Sequence, residues 1–123
     1  MDIRIYKARR GLDEGWSILC NHLNPNYIVN HSVGDENPDI SIVLSGKAEN
    51  PLAIKGKRVL FMTRGEWNPK GYGWNLFESI LKHYYDEIVD ITYCSLTEAV
   101  EKIKDYIENA EQAWQAEQSG TTH

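Results

Sequence analysis

Residues 57–63 read KRVLFMT. Two cations lead into Val59, Leu60, Phe61 and Met62, four apolar side chains in a row. A strand with one solvated face alternates polar and apolar residues. An unbroken apolar run of this length belongs to a strand covered on both faces, as in a parallel sheet with helices above and below. Asp39–Leu44 (DISIVL) has the same character. These two strands set the fold class.

The flanking sequence supplies the other elements. Asp2–Lys7 (DIRIYK) alternates Ile3 and Ile5 with Arg4 and Tyr6, a strand pattern. After the turn Ala8–Gly11, Leu12, Trp16, Leu19, Cys20 and Leu23 recur at helical spacing. Asn24-Pro25 ends that helix, because proline disfavours helical geometry in the residue before it. Tyr27–Asn30 reads as a short second strand and 32–38 as a polar turn. Between the two strongest strands, 45–56 is too polar and broken for a long helix. A second helix is expected over about Gly73–Glu87, with Trp74, Phe77, Leu81, Tyr84 and Ile88 as its buried stripe. Ile88–Cys94 reads as a fifth strand. Ser95-Leu96-Thr97-Glu98 is a capping box. The long last helix carries Leu96, Val100, Ile103, Ile107, Ala110 and Trp114.

The order β-α-β-β-β-α-β-α predicts a three-layer α/β domain of about five mostly parallel strands, with helices on both faces. One connection leaves an alternative open. From strand two to strand three only about seven residues are expected, so strand two is either parallel, with an extended return, or an antiparallel edge. Residues 1–117 are expected to form one domain and 118–123 a flexible tail.

Composition bounds the function. The chain has 123 residues and a net charge of −5, against the basic stripe that DNA or RNA binding needs. No run approaches the roughly 20 apolar residues of a membrane span. The alternating start has no apolar signal core, so a cytoplasmic protein is expected. Cys20 and Cys94 read as reduced thiols, without disulfide or metal spacing. The four histidines are scattered, although His31 lies near the end of a strand. Asp35, Glu36 and Asp39 read as turn or surface chemistry. Asp90, a carboxylate inside a predicted strand, is expected to be paired. No nucleophile–base constellation or metal motif can be assembled, so the reading is non-catalytic, without cofactor.

The chemistry-bearing candidates fall into the segments that follow strands. In open α/β sheets ligands bind beyond the carboxyl ends of the strands. Arg9, Arg10 and Gly11 follow strand one, and Ser45 and Lys47 follow strand three. Arg64, Trp67, Tyr72 and Gly73 follow strand four, and Ser95 follows strand five. Cations clamp anions, aromatic faces stack rings, and the glycine turn opens a helix whose free N–H groups suit a phosphate or carboxylate. The competing reading makes Trp67 and Trp74 packing residues and Gly71 and Gly73 turn residues. Ser45-Gly46-Lys47 lacks the earlier glycine of a phosphate loop.

Three pieces together resemble the N-terminal half of a two-domain, GT-B type glycosyltransferase: MDIRIYKARRGLDEGWSILCNHL (1–23), NPDISIVLSG (37–46) and IKGKRVLFMTRGEW (54–67). The resemblance implies a reduced, stand-alone Rossmann-like domain. It lacks the helix after strand two and the half that mainly holds the donor nucleotide, and no catalytic residue carries over. The expected function is binding, and by binding sequestration, of a small anionic nucleotide-like ligand, such as a nucleotide signal or nucleotide sugar. A virus-encoded sponge fits that reading. The alternatives are a protein-interaction or inhibitor module, or one half of a split glycosyltransferase. Trp114 near the end of the last helix leads to the expectation of a homodimer.

Overall fold

A computed structural model describes residues 1–6, 14–29, 34, 36–44, 51–64 and 73–120, except the side chains of 14, 77, 119 and 120. The elements are β1 (Ile3–Tyr6), α1 (Glu14–Asn21), β2 (Ile28–Val29), β3 (Ile40–Leu44), a 3-10 turn (Pro51–Ala53), β4 (Lys57–Met62), α2 (Trp74–Tyr84), β5 (Glu87–Asp90) and α3 (Leu96–Gly120). The strands form one sheet in the order β2-β1-β3-β4-β5, and every pairing is parallel. Strand two is therefore a parallel edge, with Ile5 opposite Ile28 and Tyr6 opposite Val29. Only two residues of it join the ladder, so ten residues separate it from β3, enough for a parallel return.

The unbroken apolar runs are buried as the two-sided reading requires. Ile40–Leu44 is buried throughout, and so are Val59–Met62. Alternate residues serve opposite faces. Ile42, Leu44, Val59 and Phe61 join Trp16, Leu19 and Cys20 of α1, Leu23 just after it, and Ala99, Val100, Ile103 and Ile107 of α3. Val43, Leu60 and Met62 pack with Ile54, Leu81 and Tyr85 on the α2 face. This is the three-layer α/β architecture. The buried Ser41 hydroxyl donates to Lys55 O at 2.6 Å, tying β3 to the chain entering β4. Gly56 (φ +76°) closes the approach between those strands. A Cβ there would lie 2.3 Å from Pro38 O and 2.9 Å from Asp39 O, so only glycine fits.

Two boundaries differ most from the expectation, while the first helix ends at Asn21, before Leu23, and strand two shortens to Ile28–Val29. The second helix stops at Tyr84, not Glu87, and Tyr85 is the buried ring while Tyr84 is exposed. Tyr85 is extended, its N–H donating to Leu81 O at 3.0 Å. Asp86 is then drawn to the sheet: its N–H donates to Arg58 O at 2.8 Å, and its Oδ2 accepts the Arg58 N–H at 2.8 Å. The ladder captures the chain before another helical turn can form. Strand five likewise ends at Asp90, not Cys94. There the Asp90 carboxylate folds the chain over by accepting from the Thr92 N–H at 2.9 Å and from the Thr92 hydroxyl.

The capping box forms as expected. The Glu98 N–H donates to Ser95 Oγ at 3.2 Å and the Ser95 N–H to Glu98 Oε1 at 3.3 Å. Helix α3 then runs 25 residues, about 37 Å at 1.5 Å per residue, whereas six-residue β4 spans about 20 Å. The helix therefore starts at the carboxyl edge of the sheet and extends past its amino edge. It continues through Gly120, and 121–123 of the expected tail lie outside the described residues. No helix among the described residues is long and apolar enough to cross a membrane.

Candidate functional site at the carboxyl edge

Strands β1, β3 and β4 all run the same way, so the sequences that continue from Tyr6, Leu44 and Met62 leave from one edge. The strand order reverses about β1, with β2 on one side and β3 on the other, and such a switch point is where doubly wound sheets hold ligands. Arg9, Arg10, Gly11, Ser45, Lys47, Trp67 and Tyr72 lie outside the described residues. Arg64, Gly73 and Ser95 are described.

Arg64 is the best-defined member. It follows β4 and is met by a clasp from the end of β5. Its backbone N–H donates to Thr92 Oγ1 at 2.9 Å, and its Nε lies 2.7 Å from Asp90 Oδ2. Its guanidinium carbon sits 5.1 Å from the centroid of the Trp74 ring. The expected pairing of Asp90 is thus present, and its partner is the same arginine read from sequence as an anion clamp. Burial pushes the Asp90 carboxyl up, but hydrogen bonds from Thr92 and the Arg64 charge outweigh it and hold the group below the usual carboxylate range. Arg64 is 44% exposed, and a guanidinium has five N–H donors. Among the described residues its partners meet Nε and the ring face, and its terminal N–H groups make no hydrogen bond.

Gly73 stands at the start of α2, with φ −52° and ψ 115°, a conformation any residue adopts. A Cβ there would meet nothing within 4 Å, so glycine is not required for space. Among the described residues no side chain caps α2 at this end. Ser95 is exposed, and its hydroxyl caps α3 as described above. With Trp16, Thr63, Thr92, Cys94 and Leu96 it also lines a cavity of about 270 Å³ at the carboxyl ends of β4 and β5. This cavity is largely apolar and has room for a ring.

A second cavity of about 520 Å³ lies between α2 and the edge strand β5 and reaches Arg64. Its charged lining is Arg64 and Lys82 against Glu78, Asp86 and Asp90. Lys82 Nζ is already 2.9 Å from Glu78 Oε1. Carboxylates outnumber cations there, so this groove disfavours an anion. Sequence reasoning missed Thr92 and the second role of Trp74. The spacing Asp90-Ile91-Thr92 was the available signal, because a carboxylate two residues before a hydroxyl commonly turns the chain.

The basic residues are unevenly placed. The segments 7–13, 45–50 and 63–73 hold six of the chain's thirteen Lys and Arg residues and only three carboxylates, in a protein of net charge −5. Compared with known protein families, curated proteins and solved structures, the chain matches none of them. The glycosyltransferase resemblance therefore rests on the sequence alone.

Proposed function

We propose that this protein is a non-catalytic, cytosolic binder of a small anionic, ring-bearing metabolite of the nucleotide class, held at the carboxyl edge of its sheet and sequestered there. The observation that carries this reading is the concentration of cations on the three segments that continue from β1, β3 and β4. A local excess of positive charge in an acidic protein selects a small anion and disfavours a polyanion lying across the whole surface. The exposed, aromatic-backed Arg64 supplies donors to the anion. The apolar cavity beside Ser95 and Trp16 is matched to the ring.

The test is native mass spectrometry of protein purified from cells, with the released small molecules identified, followed by calorimetry with the ligand found. Arg64→Ala is expected to weaken binding about 10- to 100-fold, the worth of a charge-assisted hydrogen bond of about 1.5–3 kcal/mol. Unchanged affinity in Arg64→Ala and in the Arg9→Ala, Arg10→Ala double variant would reject the site.

One observation favours a second reading, a protein-interaction module. Leu76, Ile80 and Tyr84 recur every four residues on α2 and are 65%, 47% and 39% exposed. If that stripe carries the function, Ile80→Glu abolishes it and Arg64→Ala does not.

A further inference from the structure

We infer that a second binding site, for a linear aliphatic polycation of the polyamine class, lies at the opposite, amino edge of the sheet. A groove of about 500 Å³ runs there between the strand ends and the second half of α3. Two aromatic side chains, Tyr106 and Trp114, line it. They are eight residues apart on one helix, about 12 Å along its axis. Ile40, Ala110 and Ala113 add apolar surface.

The ionised side chains of the groove are Asp39, Glu87 and Glu117 against Lys57. Lys57 is committed, its Nζ 2.7 Å from Glu87 Oε1 and 6.0 Å from the centre of the Tyr106 ring. That ring therefore already receives an ammonium group. Asp39 Oδ2 accepts the Asp2 N–H at 2.7 Å, a neutral donor, and among the described residues Asp39 has no ion pair. Met1 also lines the groove; its α-amino group, where free, leaves three carboxylates to two cations.

The sign excludes a nucleotide anion from this end. The arrangement also suits an extended organic cation better than a metal ion, which needs several oxygens converging within about 2.6 Å. Among the described residues no three such ligands converge. A polyamine alternates ammonium groups with short methylene runs. The methylenes match the alanine and isoleucine surface, and the ammonium groups match Asp39, Glu117 and the Trp114 face, since Lys57 already holds Glu87 and the Tyr106 ring. The homodimer expected from Trp114 would close the same groove against a second copy.

The test is calorimetric titration of the full chain with spermidine, at low salt and at about 0.15 M, where charges are screened beyond ~8 Å. Saturable one-site binding that weakens but persists at the higher salt is expected. Glu117→Gln and Trp114→Leu should each lower affinity about three- to tenfold, the range of a single ring–cation or ion contact. Arg64→Ala should leave spermidine binding unchanged, which separates this site from the one at the carboxyl edge. Glu117 is on an exposed helical turn, so its variant carries the test even if Trp114→Leu unfolds. No saturable binding, or wild-type affinity in Glu117→Gln, overturns the proposal. So does displacement by Mg²⁺ at equal concentration, which would reduce the effect to screening. A trilysine peptide binding tenfold more tightly would assign the groove to a protein segment. A two-chain particle in light scattering whose formation abolishes spermidine binding would assign it to a second copy.

Discussion

The two edges of this sheet combine backbone and side-chain contacts in different proportions. At the amino edge a series of backbone bonds leads: Asp39 N–H donates to Asp2 O at 2.9 Å, Lys57 N–H to Asp39 O at 3.0 Å, and Asp86 N–H to Arg58 O at 2.8 Å, with the Asp39 and Asp86 carboxylates adding bonds to the Asp2 and Arg58 N–H groups. The chain enters β3, β4 and β5 through short, mutually bonded segments, and Gly56 lets two of them touch. At the described part of the carboxyl edge one backbone bond, Ile91 N–H to Met62 O at 2.9 Å, is reinforced by a side-chain clasp. Arg64, Asp90, Thr92 and Trp74 hold the ends of β4 and β5 together with polar and ring contacts. The segments rooted at that edge are rich in cations, and the groove at the other is rich in carboxylates. An edge closed by backbone tolerates little change. An edge closed by side chains leaves donors and rings that a ligand can recruit.

The largest effect should therefore come from the amino edge. Gly56→Ala places a methyl group against Pro38 O and forces a positive φ on a residue that resists it. The expected loss is about 3 kcal/mol, strain and overpacking together. Chemical denaturation reads it directly. A loss below about 1 kcal/mol would mean that Pro38 yields easily and that the amino edge is not the rigid one.

The next comparison lies within the carboxyl edge. Trp74 is half-buried, packs beside the Leu81 and Tyr85 cluster and carries Arg64 on its ring. Trp74→Ala should cost about 2 kcal/mol of stability, below the ~3–5 kcal/mol of a fully buried aromatic. It should also weaken ligand binding by freeing Arg64. Trp67→Ala is expected to leave the melting temperature nearly unchanged while removing stacking worth ~1–3 kcal/mol of binding. Equal stability losses in the two variants would make both indoles packing residues and take Trp67 out of the site.

Much of the architecture was legible in the sequence because burial on both faces leaves an unambiguous mark. KRVLFMT and DISIVL can be read only as covered strands, and the capping box at Ser95 announces its helix. What failed to show was settled by partners far away in the chain. The pairing of β2 with β1 depends on two residues. Tyr85 replaces Tyr84 in the core because Arg58, 27 residues earlier, captures Asp86. The amino-edge groove joins Asp39, Lys57, Glu87 and Tyr106, which no local pattern links. Of the candidate site, the position of Arg64 just past the end of β4 was readable. That Asp90 and Trp74 would hold it was not, because strand register decides which residues stand beside it.

The smallest expected effect tests how the side-chain clasp is held. Asp90→Asn keeps the shape of the side chain but removes the charge that accepts from Thr92 and faces Arg64. The ion pair is partly exposed, so the loss at neutral pH should be only about 1 kcal/mol. Its pH dependence is diagnostic. The Asp90 carboxyl titrates lower in the folded chain than an unperturbed aspartate, whose pKa is about 3.9. A depressed carboxylate contributes stability that is full above the unfolded value and is lost as pH falls through the folded one. The stability gap between wild type and Asp90→Asn should therefore be constant from pH 7 to about 5 and shrink below about 4. A gap that persists undiminished to pH 2.5 would mean that shape, not charge, holds the clasp. Arg64 would then owe its position to the Trp74 ring and the Thr92 hydroxyl, and the carboxyl edge would be less electrostatic than its composition implies.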